Sequence, residues 1–439
     1  MDSAYNVVHT VSAVGEDLYG DLHEFKITAD GTALMTVYNR TNADLADTGM
    51  ALINDASIVD GIVQEVDIAT GKLIFQWRAS DHLDSVYLAT SYGDYVNSGA
   101  FDYFHVNSID KDLQGNYLIS LRHLHMFVYI DGTNGDILWA LGGMSDDFLD
   151  ISSGMASDFQ WQHDVRWIDR ERGIISLFNN GMARKHYDAD HSEGRIIQLD
   201  FEKRTVQLLQ SYMSPQGISS ASQGSVQMLP PHEDGDAHVF VGWGSSAAYS
   251  EFTSDGELLC ETHFAASSLF YFERAKSYRA IKAPAHWKAE AAGWDPSARI
   301  HGGTIYVSWN GATEVAWWAL QGMLANSTSG SDTQKHEVWE DADLVIKESF
   351  ETSIELPSSD GTYIAYRVAA FNSEMKLLRY SNVERVSATQ YWRYFWPAFI
   401  SAVVFGLIIA LLARYRTSLE QRWPSSSVGR QRIAYQRVG

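Results

Sequence analysis

Little cysteine, little proline and little positive charge mark this 439-residue chain, and each shortage closes a class of explanation. The single cysteine, Cys260, rules out a disulfide framework and any zinc site built on thiolates. Eight prolines and 33 glycines are too few for a collagen-like or low-complexity chain. Against 55 acidic residues stand 33 Lys and Arg, a net charge of -22, so a basic face to neutralise a nucleic-acid backbone is missing. Motifs of familiar chemistry are missing too: no G-x-S-x-G elbow, no H-E-x-x-H and no glycine-rich phosphate loop ahead of a helix. What is present is apolar and aromatic. With 45% hydrophobic residues, 14 Trp and 22 Tyr, the chain can bury enough surface to fold over most of its length, and its size suits two or three domains.

Long hydrophobic runs are equally rare, with one exception. Residues 394–413, YFWPAFISAVVFGLIIALLA, carry no charge over the ~20 positions a helix needs to cross ~30 Å of hydrocarbon. Tyr391, Trp392, Tyr394, Phe395 and Trp396 suit a headgroup belt on one side. On the other, residues 414–439 hold Arg414, Arg416, Arg422, Arg430, Arg432 and Arg437 against Glu420 alone, so the total of -22 divides into +5 there and -27 before it. The expectation is a single-pass transmembrane helix with a cytoplasmic basic tail and a luminal or extracellular remainder. Sequons at Asn39 and Asn326 agree with a glycoprotein in that orientation, although MDSAYNVVHTV shows no signal-peptide pattern, so either the span is the only targeting signal or the true start is missing.

Helical periodicity is absent from the first 297 residues. Short β-rich runs alternate with glycine turns instead, at Asp30-Gly31, Thr70-Gly71, Gln114-Gly115, Asn134-Gly135 and Asp255-Gly256. A histidine stands 8 to 10 residues before such a turn three times: His23 before Gly31, His105 before Gly115 and His163 before Gly173. A fourth unit from Gln223 has the same shape without the histidine. Repeated strand units of this kind predict an all-β fold, a β-propeller over 1–297, in which equivalent positions of successive blades converge on the axis. His23, His105 and His163 would then meet; a sandwich would scatter them. Arg122, His123 and His125 in SLRHLHMFVYI alternate with apolar residues, which predicts a strand with one polar face rather than a metal site. From 298 to 390 the pattern changes. Trp309 in an early strand and the alternating run Tyr363 to Phe371 predict a small β-sandwich similar to fibronectin type III modules, with a Ser/Thr/Asp-rich loop from Asn326 to Lys335.

Taken in order, DLHEFKITADGTAL, IVQEVDIATGKLIFQWRASDHL, FHVNSIDKDLQGNYLISLRH, FQWQHDVRW, SLFNNGMAR, QGSVQMLP and VGWGSSAAYSEFTSDG resemble the arylsulfotransferase family in its fungal, membrane-anchored form. The resemblance runs from residue 1 to about 390. It implies a six-bladed propeller whose bacterial members move a sulfuryl group between a phenolic sulfate ester and a phenol, with a channel histidine as nucleophile and two further histidines and an arginine completing the site. By motif, His105 of FHVNS and His163 of QHD match two of those histidines, and Arg184 of FNNGMAR matches the arginine. The third histidine has no counterpart in SQGSVQMLPP or GWGSSAAYSEF, which leaves His23 as its substitute. No cofactor and no metal is implied; the partners are a small aromatic or sulfate-ester substrate and the membrane. Relatives carry a signal sequence and a further blade or more ahead of DSAYNVVHTV, so an N-terminally truncated chain and an open or incomplete ring are expected. The competing reading is a non-catalytic propeller scaffold that binds glycans or proteins at a membrane surface. A third, a quinoprotein-like dehydrogenase, lacks a cofactor motif.

Overall fold

A computed structural model describes residues 1–386, apart from 45–55, 86–95, 98, 145, 184–185, 188–189, 232–234, 267–268, 270–273, 284–292, 325–337 and 358–362. The run 394–413 and its basic tail lie outside the described residues. Among the described residues no helix is long and apolar enough to cross a membrane.

The described chain is all-β and divides into two compact units, Val7–Trp287 and Met1–Asn6 with Lys288–Gly439. In the first, four sheets follow one another, each built on four antiparallel strands in chain order, with short parallel strands, Ala100–Phe101 and Leu149–Asp150, added to the first and the third. The first blade holds Gly20–Ile27, Thr32–Ala43, Ala56–Asp67 and Leu73–Arg78. The second holds Val106–Lys111, Tyr117–Leu121, Met126–Ile130 and Ile137–Gly142. His163–Asp169, Ile174–Asn179, Glu193–Asp200 and Thr205–Tyr212 make the third. Ser225–Met228, His238–Gly242, Ala248–Thr253 and Leu258–His263 make the fourth. The glycine turns fall where the sequence puts them. Gly31 and Gly115 take φ of 76° and 88°, a conformation that costs a side chain about 1 kcal/mol or more and glycine nothing.

Blades are joined face to face by apolar cores. Leu34, Ile58 and Val63 of the first pack on Val106, Ile109 and Ile119 of the second. Phe127 and Trp139 pack on Val165 and Ile175, and Phe178 and Ile196 on Val226, Val241 and Trp243. The far face of the first blade is covered by Val11, Ala13, Val14 and Leu18. Among the described residues no such core joins the fourth blade to the first, and four blades are described where the resemblance implies six. The join is ionic instead. Glu24, 2% exposed, accepts from the guanidiniums of Arg166 and of Arg279, the latter at 2.9 Å, and from the Ile109 N–H at 3.2 Å. Arg279 also donates to the carbonyls of His23 and Asn107 at 3.2 and 3.1 Å and lies 3.2 Å from Asp164. One arginine thus ties three blades together.

The second unit is a sandwich of a three-stranded sheet (Ser297–His301, Thr304–Ser308, Glu351–Glu355) and a five-stranded one containing Trp317–Leu324 and Tyr363–Phe371. Its core includes Trp309, Trp318 and Val368. Trp309 stands one residue past its strand, where its indole N–H reaches the Trp294 carbonyl at 2.9 Å. Asn39 lies inside the strand Thr32–Ala43; Asn326 lies outside the described residues.

Candidate functional site

The inner strands of the arc bring His23 and His105 into edge-to-face contact, ring centroids 4.7 Å apart. His105 stacks in turn on His123 at 4.4 Å. His163 stands across from them, its ring 6.2 Å from Tyr278, which is 5.8 Å from His23. Arg184 lies outside the described residues.

Backbone at these positions is unusual in a repeating way. His105, Trp161, Asp164 and Gln223, at or just before the inner strands of blades two, three and four, have φ of 52°, 59°, 55° and 67°. Left-handed non-glycine residues cost of order 1–3 kcal/mol each and persist where the surroundings over-determine them. Here they turn the chain inward as each inner strand begins.

Each histidine has its own hydrogen-bond state. His105 Nδ1–H donates to the Asp102 carboxylate at 2.6 Å, which places its lone pair on Nε2, and Nε2 has no hydrogen-bond partner among the described residues. His23 repeats the arrangement with Asp21. His123 and His163 differ. His123 Nδ1–H donates to the Asp102 carbonyl at 2.6 Å and its Nε2 accepts from Arg122 at 2.9 Å. His163 Nδ1–H donates to Asn180 Oδ1 at 2.7 Å, and its Nε2 accepts the Gln223 N–H at 3.1 Å. Both of these rings have spent their lone pairs.

That proton inventory bears on metal binding. Side-chain atoms of Asp102, His105 and His123 lie within 4.8 Å of one another, close enough to share an ion. With its Nε2 facing a guanidinium and its Nδ1–H facing a carbonyl, however, His123 offers no lone pair to an ion, which leaves Asp102 and His105.

Burial holds the imidazoles of His105, His123 and His163 neutral. His105 is pushed well below the ordinary histidine range by burial, then by His23 and Arg122; His123 by burial and His105; His163 by burial and Arg122. Burial pushes Asp102 up, against the pull of His123 and His23. Asp21 is lowered: burial acts upward, and the hydrogen bond and charge of His23 outweigh it. The three depressed histidines give a stability prediction. An unfolded imidazole takes its proton near 6.5, and the folded ones only lower. The unfolded state therefore binds more protons below pH ~6.5, and stability falls as the pH drops through that window while staying level above it. Melting midpoints at pH 7.5, 6.0 and 5.0 should decline in that order, steepening below 6.5; a flat series would contradict the neutral buried cluster.

Arg122 and His123 are the residues that sequence reasoning misses. The alternation in SLRHLHM predicts a strand, but the strand ends at Leu121 and Arg122–Leu124 form a 3-10 turn closed by His125 at φ 52°. Both side chains thereby enter the centre. Arg122, 6% exposed, lies 5.2 Å over the Trp161 ring and donates to the Ala221 carbonyl at 3.1 Å.

Residues 1–265 match the family described as arylsulfotransferase (ASST). The chain belongs to the arylsulfotransferase family. No curated protein matches it. Solved structures similar to this arylsulfotransferase-family chain include a streptogramin B lyase, at 9% identity over 84% of this chain and 83% of that one, with a TM-score of 0.28. The hydrazine synthase of Kuenenia stuttgartiensis shares 11% over 82% and 79%, with a TM-score of 0.30. The virginiamycin B lyase of Staphylococcus aureus shares 11% over 80% and 89%, with a TM-score of 0.25. TM-scores this low carry no argument about the arylsulfotransferase-family chain. Its membership rests on the sequence match, and its chemistry on the cluster.

Proposed function

We propose that the cluster transfers a sulfuryl group from a phenolic sulfate ester to a phenol, with His105 as the nucleophile. The observation that carries this is the state of His105: Nδ1–H held by Asp102, and an Nε2 lone pair left without a partner among the described residues. A neutral imidazole so oriented can attack sulfur; the S–O(aryl) bond breaks, its electron pair leaves with the phenolate, and an N-sulfo histidine remains. An acceptor phenol then attacks the same sulfur and returns the electron pair to Nε2. Arg122 supplies fixed positive charge beside the cluster, suited to the sulfuryl oxygens, and costs nothing to reorganise during reaction. His23, in its dyad with Asp21, accepts the acceptor's proton. His163, with both nitrogens bonded, is a positioning residue that holds Gln223 at the mouth of the fourth blade.

The uncharged run 394–413 and the six arginines beyond it support a single membrane span with the blades on the luminal or extracellular side. The two-sheet arrangement of the second unit supports a fibronectin type III-like module between blades and span. The test is transfer itself: purified full-length protein with a chromogenic aryl sulfate should release its phenol faster when an acceptor phenol is added, and the sulfated acceptor should appear in equal amount. Aryl sulfate bound without turnover would favour the scaffold reading.

A further inference from the structure

After the last strand of the fourth blade the chain returns to the centre, and residues 277–280 are fixed from both sides. Ser277 N–H bonds to the Gly244 carbonyl at 3.2 Å, the Gly224 N–H to the Tyr278 carbonyl at 3.0 Å, and Ala280 N–H to Ser225 Oγ at 3.1 Å. Arg279 is locked into the Glu24 and Asp164 network, its guanidinium 5.3 Å from the Tyr278 ring. Tyr278 is therefore held by its neighbours, with its ring edge-on to His23 at 5.8 Å and to His163 at 6.2 Å. Yet its hydroxyl is buried and has no hydrogen-bond partner among the described residues. A buried hydroxyl left so costs about 1–3 kcal/mol, and a rigid backbone gives it no way to find a partner elsewhere. An unspent donor fixed beside His23 and His163 describes a place kept for an acceptor atom of a ligand.

Resting on the sulfuryl-transfer reading, we propose that the Tyr278 hydroxyl donates a hydrogen bond to the aryl oxygen of the sulfate ester. As the S–O(aryl) bond breaks, negative charge grows on that oxygen, and a donor already in place stabilises it. Tyr278 keeps its proton; the phenolate departs with the bonding pair and is protonated by solvent after release. In the second half the same hydroxyl orients the oxygen of the acceptor phenol. Burial raises the phenol of Tyr278 above its ordinary value, so it stays protonated at any working pH.

The test uses full-length wild type and Tyr278→Phe with a series of aryl sulfates whose leaving phenols span a range of acidity. A well-stabilised leaving group such as 4-nitrophenolate needs little help, so kcat/KM for 4-nitrophenyl sulfate should fall only a few-fold. Unsubstituted phenyl sulfate should lose about 10²-fold, as expected for removal of one donor to a developing oxyanion. Because the hydroxyl has no partner to lose, Tyr278→Phe should melt at or above the wild-type temperature. An equal loss across the series, no loss, or a lowered melting point would overturn the proposal while leaving sulfuryl transfer standing. Wild type without any transfer would overturn both.

Discussion

His105→Ala should lower sulfuryl transfer by roughly 10³-fold or more, because it removes the atom that forms the covalent intermediate and leaves only binding and fixed charge. The measurement is steady-state release of phenol from a chromogenic aryl sulfate with an acceptor present. The expected pattern has a second part. Asp102→Asn keeps the shape beside His105 but exchanges a charged acceptor for an amide that can present either oxygen or N–H to Nδ1. Loss of a partner that orients a working imidazole costs roughly 10- to 100-fold, so this variant should fall between wild type and His105→Ala. Full activity in His105→Ala would remove it from the chemistry and move the role to His23, whose Nε2 also has no hydrogen-bond partner among the described residues.

Glu24→Ala should be the most destabilising change in the arc, by about 3–5 kcal/mol, since it leaves the buried guanidiniums of Arg166 and Arg279 to share one carboxylate, Asp164. The network is coupled: Asp164 faces both guanidiniums, and Asp164 Oδ2 also accepts the Val226 N–H at 3.1 Å. Removing Glu24 therefore loosens blades one, three and four together. Lys203→Ala is the control, because Lys203, 77% exposed, pairs with Asp200 at the surface and should leave the transition in place. Equal melting points for the two variants would mean that the blades are held together by something other than this network. His23 neighbours Glu24 in the same strand, so the change should also weaken catalysis through the position of the Asp21–His23 pair.

Most of the scaffold is legible in the sequence because its signals are local. Glycine at a positive-φ turn and strand-length apolar runs are properties of a few consecutive residues, and the same spacing repeated for His23, His105 and His163 places them near one axis. The chemistry of those residues is not local. Nothing in WQHDVRW says that His163 will spend both nitrogens on Asn180 and Gln223, residues 17 and 60 positions away. Arg122 and His123 are hidden for another reason: a period-two pattern suits a strand, and only the short turn at Arg122–Leu124 makes two adjacent side chains point to one place. Tyr278 lies in an irregular segment whose position depends on Arg279 finding Glu24, 255 residues earlier. Arg184, matched by motif, lies outside the described residues, and Arg122 holds the cationic place in the described cluster.

The central claim is that sulfur passes through His105. It is tested most directly by mixing the full-length protein with a chromogenic aryl sulfate in the absence of any acceptor phenol, and following phenol release and intact mass together. The account predicts a rapid burst of one phenol per protein chain, a gain in mass of one SO3 group, and fragmentation that locates that group on His105. A release that proceeds without a burst and without an adduct, or an adduct located on another residue, would contradict it.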